Sequence, residues 1–220
     1  MELDLEVNDI FEPHLGNTAR TQIFYGGAGS GKSVFIAQRA VLDVLAGNRN
    51  YLVCRAVGRY LKKSVWTQVR NVIVGMDLVD LFSFHIVAGV IECIHNGYQI
   101  IFTGLDDPEK LKSIVPAKGA ITDIWIEEAT ETDKKTVRNL YKRQRGGDPD
   151  VPKRVTLSFN PIMQTNWIYE EYFSPIGWLE DQTEYISDDL TILKTWYIHC
   201  LLYTSPSPRD RQRSRMPSSA

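Results

Sequence analysis

The stretch FYGGAGSGKSV at residues 24–34 limits the fold of this chain more tightly than any other part of it. Gly26, Gly31, Lys32 and Ser33 fill the pattern G-x-x-x-x-G-K-[ST]. Each position has a physical task. Gly26, Gly27, Gly29 and Gly31 open backbone conformations closed to residues with a side chain. Successive N–H groups can then turn inward and wrap an anion. The phosphate-binding residues expected are therefore Gly26, Gly27, Ala28, Gly29, Ser30, Gly31, Lys32 and Ser33. Lys32 brings a positive charge to the β- and γ-phosphates of a nucleotide, and Ser33 offers a hydroxyl to Mg²⁺. TQIFY before the loop reads as a short buried strand. SVFIAQRAVLDVLAGN after it reads as a helix, with Gly47 placed to end it. Strand, glycine-rich loop and helix together are the context that separates a phosphate loop from a flexible turn.

The 220 residues are enough for one domain with a sizeable core. No apolar run has the length of a membrane span, and the acidic start MELDLEVNDIFEP lacks the features of a secretion signal. Cys54, Cys93 and Cys200 show neither metal spacing nor a disulfide framework, which fits a reducing interior. A formal charge of −2 argues against a broadly basic nucleic-acid coat. Local basic clusters lie at 59–63 and 141–146, where solvated helix faces are the plain alternative to a binding role.

Strands and helices alternate along the body. YLVCR (51–55) reads as a buried strand and residues 59–76 as a helix with Leu61, Val65, Val69, Val72 and Ile73 on one face. Residues 90–104 read as a hairpin turning at Asn96-Gly97. Strands are also expected at 121–130, running into acids, and at 154–161, stopped at Pro161, with a helix over 133–146 between them. Such alternation after a phosphate loop predicts an α/β fold, a mostly parallel sheet with helices on both faces.

A phosphate loop needs a second carboxylate for Mg²⁺ and a group to position the attacking water. IWIEEA supplies a hydrophobic strand with Glu127 and Glu128 at its carboxyl end, about ninety residues past the loop. Glu127 is the candidate for the metal and Glu128 for the water. An exposed acidic loop is the alternative, and Asp123 suits a polar position at the start of the strand better than a catalytic one. In VTLSFNP, Val155, Leu157 and Phe159 alternate with Thr156, Ser158 and Asn160. Ser158 and Asn160 could sense the γ-phosphate, or could simply form the wet face of a half-buried strand.

The blocks YGGAGSGKS, YLVCR, NGYQIIFTGLDDPEKLKS, DIWIEEATE and LSFNPI resemble, in order and spacing, the large terminase subunit of tailed bacteriophages, in the version found in defective prophages of Gram-positive bacteria. The resemblance runs through nearly all of residues 1–199. It implies a RecA-like ATPase domain that binds ATP and Mg²⁺. Lys32 and Ser33 would bind phosphate and metal, Glu127 would complete the metal site, Glu128 would activate water, and Ser158 and Asn160 would carry the coupling motif. It further implies double-stranded DNA, a portal protein and a small terminase subunit as partners, a homo-oligomeric ring on the portal, no membrane, and work in the cytoplasm of a bacterial host. The adenine contact is expected near Arg20, and Lys112, Lys118, Arg143 and Arg145 are candidates for an arginine-finger role. A helicase-like or DNA-repair ATPase is the rival class, though further helicase motifs are not found. A small-molecule kinase would need an arginine-rich lid, and a GTPase an N-K-x-D motif, which is not found.

Residues 200–220, CLLYTSPSPRDRQRSRMPSSA, have a different character. From Thr204 to Arg215 they carry no apolar side chain except proline, a composition that cannot offset its ordering entropy. The string resembles a translated transposon-end adapter from sequencing-library preparation. Removing its four arginines and one aspartate takes the 25 basic and 27 acidic residues to 21 and 26, a net of −5. The expected organisation is an ATPase domain over 1–199 and a non-native disordered tail over 200–220, without the family's nuclease carboxylates. Deleting residues 200–220 is expected to leave the melting temperature unchanged, as a thermal scan of both chains would show.

Overall fold

Apolar residues occupy both faces of nearly every central strand, so the sheet they form must be covered on both sides. The computed structural model describes residues 6–161 and 163–195. In chain order the elements are β1 (Thr21–Gly26), α1 (Lys32–Ala46), β2 (Asn50–Arg55), α2 (Val65–Gly75), β3 (Phe82–His85), β4 (Val90–Cys93), β5 (Gln99–Gly104), α3 (Pro108–Ser113), β6 (Ile121–Glu127), α4 (Lys134–Arg143), β7 (Arg154–Phe159), β8 (Glu184–Ile186) and β9 (Leu190–Thr195). The strands form one nine-stranded sheet in the order β3-β4-β5-β2-β6-β7-β1-β9-β8. The pairs β1–β7, β1–β9, β2–β5, β2–β6 and β6–β7 are parallel, and the two edges are closed by antiparallel β3–β4–β5 and β8–β9. This is the α/β architecture that the alternating pattern predicts.

Strand alternation sorts the core into two layers. Phe24, Tyr51, Val53 and Trp125 pack with Phe35, Val41, Val65 and Val69 under α1 and α2. Ile23, Leu52, Ile124 and Ile126 pack with Leu111, Val137 and Leu140 under α3 and α4. No helix among the described residues is long and apolar enough to cross a membrane.

Three local expectations need correction. The stretch 59–76 is not one helix: a 3-10 segment, Gly58–Lys63, gives way at Ser64 (φ −118°, ψ −97°) to α2. Gly58 lies against the backbone of Gly104, and its N–H donates to Asp106 Oδ1 at 3.1 Å, which anchors the segment to the end of β5. The hairpin at 90–104 forms, but of its Asn96-Gly97 pair only Gly97 has positive φ (75°). Asn96 serves the turn through Oδ1, which accepts from Tyr98 N at 2.9 Å, and also donates from Nδ2 to Val44 O (2.8 Å) and Leu45 O (3.0 Å), capping the carbonyl end of α1. The polar side of β7 is not wet, since Thr156 and Ser158 are both buried. Thr156 Oγ1 accepts from the buried Arg39 of α1 at 2.9 Å, so its polarity serves an interior charge.

A second interior charge sits at the amino ends of the strands. Arg154 is buried between Asp123 and Asp43 and donates to the Tyr51 hydroxyl at 2.8 Å, while Arg49 reaches Asp123 at 2.9 Å. Asp123 therefore belongs to this network, at the opposite end of β6 from Glu127. Removing one member of a buried pair strands its partner's charge, which costs about 3–5 kcal/mol. Asp123→Ala is expected to lower unfolding free energy by about that much in a urea titration, and a loss below about 1 kcal/mol would show that Arg154 finds relief elsewhere.

Candidate functional site

The carboxyl ends of β6, β7, β1 and β9 meet at one place, where an open parallel sheet binds its ligand. β1 ends at Gly26, paired with Thr195 of β9. A Cβ at Gly26 would lie 1.8 Å from Thr195 O, so the close approach of the two strands demands glycine there. Gly29 (φ 78°) and Gly31 (φ 85°) are left-handed, and Gly31 caps the amino end of α1 without a side-chain bond. The first-turn N–H groups of α1 therefore face the loop, the arrangement that receives a phosphate. Ala28 and Gly29 are exposed at the crest, whereas Ser30 is buried and its Oγ is held by Thr195 Oγ1 at 2.8 Å. Thr195 is a loop-pinning residue missed in the sequence; the alternation in LTILKT could have revealed β9.

Lys32 folds back over its own loop. Its Nζ donates to Gly26 O and Gly27 O, both at 3.3 Å, and to Asn160 Oδ1 at 3.1 Å. It is 7% exposed, and burial lowers its pKa while Glu127 and Glu128 oppose the shift. Ser33 Oγ donates to Glu127 Oε1 at 2.8 Å. Ser158 Oγ donates to Glu127 Oε2, and the buried Trp125 indole donates to Ser158 Oγ at 2.8 Å. Both carboxylate oxygens of Glu127 are thus fixed from opposite sides. Ser158, read as a coupling candidate, lies directly on the proposed metal carboxylate.

A divalent cation can be tested against these donors. Mg²⁺ prefers hard oxygens and takes only one or two protein ligands, filling its octahedron with waters and phosphate oxygens. The Ser33 hydroxyl and the Glu127 carboxylate, already within hydrogen-bond distance, are such a pair. The residues fit the ion.

Continuing β6 as a strand would aim Glu128 to the face opposite Glu127. Instead Glu128 is left-handed (φ 52°, ψ 50°), a rare conformation for this residue type. The turn leaves it half-buried within the electrostatic reach of Glu127, Lys32 and Arg55. Its pKa is raised, first by burial and then by the neighbouring Glu127, with Lys32 and Arg55 opposing. Arg55 at the end of β2 went unassigned in the sequence; its Nε lies 3.6 Å from Glu131 Oε2.

Other candidates fall elsewhere. Arg20, expected near the adenine, precedes β1 and so sits at the end of the strand opposite the loop. There it donates to Gln144 Oε1 and to Lys153 O (3.0 Å) and lies over the Tyr141 ring, so the adenine expectation is corrected. Lys112 pairs with Glu109, Lys118 donates to Asn96 O, Arg143 to Ile114 O, and Arg145 to Lys142 O, all away from the loop. Cys54 and Cys93 are free and buried. Cys200 and the tail at 200–220 lie outside the described residues.

Residues 18–200 match the family described as phage terminase large subunit. The chain is 32% identical over 203 residues to the PBSX phage terminase large subunit of Bacillus subtilis (strain 168), covering 88% of this chain and 44% of that protein. Its fold is similar to the large terminase from the thermophilic bacteriophage D6E in complex with ATP-gamma-S (TM-score 0.62, 13% identity, 91% of this chain and 45% of that one). It is also similar to the N-terminal domain of the DNA packaging ATPase from bacteriophage phi29 (TM-score 0.64, 13% identity, 84% of this chain and 94% of that one). The chain spans less than half the length of the terminase large subunits it matches.

The raised Glu128 pKa makes a stability prediction with a definite sign. The folded chain holds a proton at Glu128 more readily than the unfolded chain. Stability from this group is therefore full in acid and is lost as pH rises through the raised value. Glu128→Gln, which removes the charge, is expected to melt above the parent chain at neutral pH. The gap should close as pH falls below the ordinary carboxylate range, and differential scanning calorimetry across pH reads it directly.

Proposed function

We propose, since the chain belongs to the phage terminase large subunit family, that it is the ATP-hydrolysing motor portion of a DNA-packaging machine. The observation that carries this is the convergence of Lys32, Ser33, Glu127 and Glu128 at one sheet end, with the loop glycines shaped to receive phosphate. The ATP analogue bound by the D6E protein supports ATP as the nucleotide.

The reading assigns each residue a task. The N–H groups of the loop and of α1 cradle the phosphates. Lys32 exchanges its bonds to Gly26 O, Gly27 O and Asn160 Oδ1 for the β- and γ-phosphate oxygens, which releases Asn160. Ser33 and Glu127 hold Mg²⁺, which supplies charge neutralisation at the phosphates. Glu128 takes the proton of the attacking water, and its raised pKa makes it a better base than an ordinary carboxylate. Ser158 and Asn160 report the γ-phosphate to β7.

By the same reading, the hydrolysis drives double-stranded DNA into a procapsid. The partners are the DNA, a portal protein, a small terminase subunit and further copies in a ring, in the cytoplasm of the bacterial host.

Two variants separate binding from chemistry. Lys32→Ala is expected to abolish Mg-ATP binding in calorimetry, and undiminished affinity would remove the site. Glu128→Gln is expected to bind ATP as the parent does while turning it over at least about a hundredfold more slowly, the scale of general-base catalysis. Turnover that survives the change would place the base on another residue.

A further inference from the structure

Charge is sharply segregated along the second half of the chain. Residues 133–154 hold eight lysines and arginines against three acids. Between Arg154 and Lys194 there is no lysine or arginine at all, while Glu170, Glu171, Glu180, Asp181, Glu184, Asp188 and Asp189 all fall in that interval. The fold pairs Lys134 and Arg138 with Glu171 and buries Arg154 beside Asp43 and Asp123, and it leaves much of the remaining charge on two separate surfaces.

The basic surface is a groove. Between α3 and α4 lies a cavity of about 900 Å³, lined by Lys112, Lys135, Lys142, Arg143 and Arg145 over a floor that includes Leu111 and Leu140. Lys135, Asn139 and Lys142 share one face of α4 and line it together. Arg143 sets its width by donating across to Ile114 O at 3.0 Å and Lys112 O at 3.3 Å. Its one acid, Asp133, is used by the α4 cap, accepting from Thr136 N at 2.8 Å and Thr136 Oγ1 at 2.7 Å. Among the described residues, Lys135, Lys142 and Arg145 have no carboxylate partner in an ion pair.

The acidic surface is the far edge of the sheet. β8 is the last strand, and Glu180, Asp181, Glu184, Asp188 and Asp189 in and around it are exposed. Asp181, Asp188 and Asp189 form no ion pair among the described residues. Leu179 (64%) and Ile186 (60%) are exposed among them, which gives the edge an apolar component to match the floor of the groove.

We infer that the α3–α4 groove docks the acidic β8 edge, residues 179–189, of a second copy of this chain. Three features favour that occupant. The charges are complementary, and complementary patches steer and register an encounter. The two surfaces do not overlap on one molecule, so the contact is heterologous and each copy can bind one neighbour at either side, as a ring requires. Both also run along the strand axis. α4 begins six residues past Glu128 and ends near the amino ends of the strands, where Gln144 Nε2 donates to Thr122 O and Arg154 O. The acidic edge likewise runs from Glu180 to Asp189, whose carbonyl accepts from Thr21 at the start of β1. Parallel docking along this axis turns every phosphate loop to the same side of the assembly. The inference rests on the ring proposed above and names its interface.

Self-association without nucleotide tests it independently of ATP turnover. The full chain is followed by sedimentation at low and high salt, and treated with a carbodiimide, which condenses a lysine amine and a carboxylate in contact into an amide with loss of water. Association that weakens as salt rises is expected, with cross-links joining Lys135 or Lys142 to Asp181, Asp188 or Asp189. Lys142→Glu with Arg145→Glu, and separately Asp188→Lys with Asp189→Lys, should each weaken association at least about tenfold through like-charge contact. Mixing the two variants should restore it, because each then presents the surface the other lacks. Unchanged circular dichroism verifies that both fold. The inference fails if the variants associate as the parent does, if mixing restores nothing, or if the cross-links join other segments. It fails equally if the groove variant loses double-stranded DNA binding while association stays intact, which would give the groove to nucleic acid. Undiminished ATP binding in Lys32→Ala with these results unchanged would refute the ATPase reading alone.

Discussion

The parallel alignment of β6, β7, β1 and β9 governs everything at the phosphate loop. It pairs Glu127 with Ser158, Phe24 with Ser158, and Gly26 with Thr195. Four segments from distant parts of the sequence thereby end at one level. The closest of these contacts, Gly26 against the Thr195 carbonyl, leaves no room for a side chain. The loop therefore starts from a strand locked on both sides, and its later glycines supply the left-handed turns that curl it over α1. A parallel sheet of this kind must be buried on both faces, which is why the polar side chains of β7 serve interior partners.

The site gathers like charges where water is scarce. Glu127 and Glu128 are consecutive, and the left-handed backbone at Glu128 directs both toward one region. Burial and mutual repulsion raise Glu128, while Lys32 partly offsets them. Lys32 is itself held out of water, its ammonium satisfied by two loop carbonyls and Asn160. Both groups sit in positions an apolar or neutral side chain would occupy at lower cost. Such local conflict between stability and arrangement marks functional sites, where the surrounding scaffold over-determines the strained residue.

Much of this was legible in the sequence, and the exceptions have physical reasons. The loop, its strand and helix, and the acid pair follow from local pattern, because their spacing is set by backbone geometry within one turn. The two-sided burial of β2 and β6 shows in the apolar runs at 51–54 and 124–126. What pattern could not show is tertiary pairing. Thr156 looked solvent-facing because alternation cannot tell water from a buried arginine on the next layer. Asn96 does serve its turn, through Oδ1 on Tyr98 N, but local pattern gives no sign that its Nδ2 also spans to the end of α1. Arg20 is close to the loop in sequence but a full strand away in space. Thr195 and Trp125 hold the loop and Ser158 through contacts between elements far apart in the chain, and no single-segment signal carries those.

The two ends of α4 tie chemistry to assembly. Its cap, Asp133, is five residues beyond Glu128, and the intervening 3-10 turn is fixed by Thr132 Oγ1 on Ala129 O (2.6 Å) and by the Trp167 indole on Thr132 O (2.7 Å). A rigid connection this short cannot absorb a shift of the helix without moving the strained backbone at Glu128. α4 also supplies six of the side chains lining the basic groove, Lys135, Thr136, Asn139, Leu140, Lys142 and Arg143. Force applied by a neighbouring copy at that groove would therefore reach the base directly, through one helix and one turn. Conversely, a change in what Glu127 and Glu128 hold would be felt at the interface. If the docking inferred above holds, the left-handed Glu128 would be linked to the interface through one 3-10 turn and one helix, with no long chain of intermediate side chains between them.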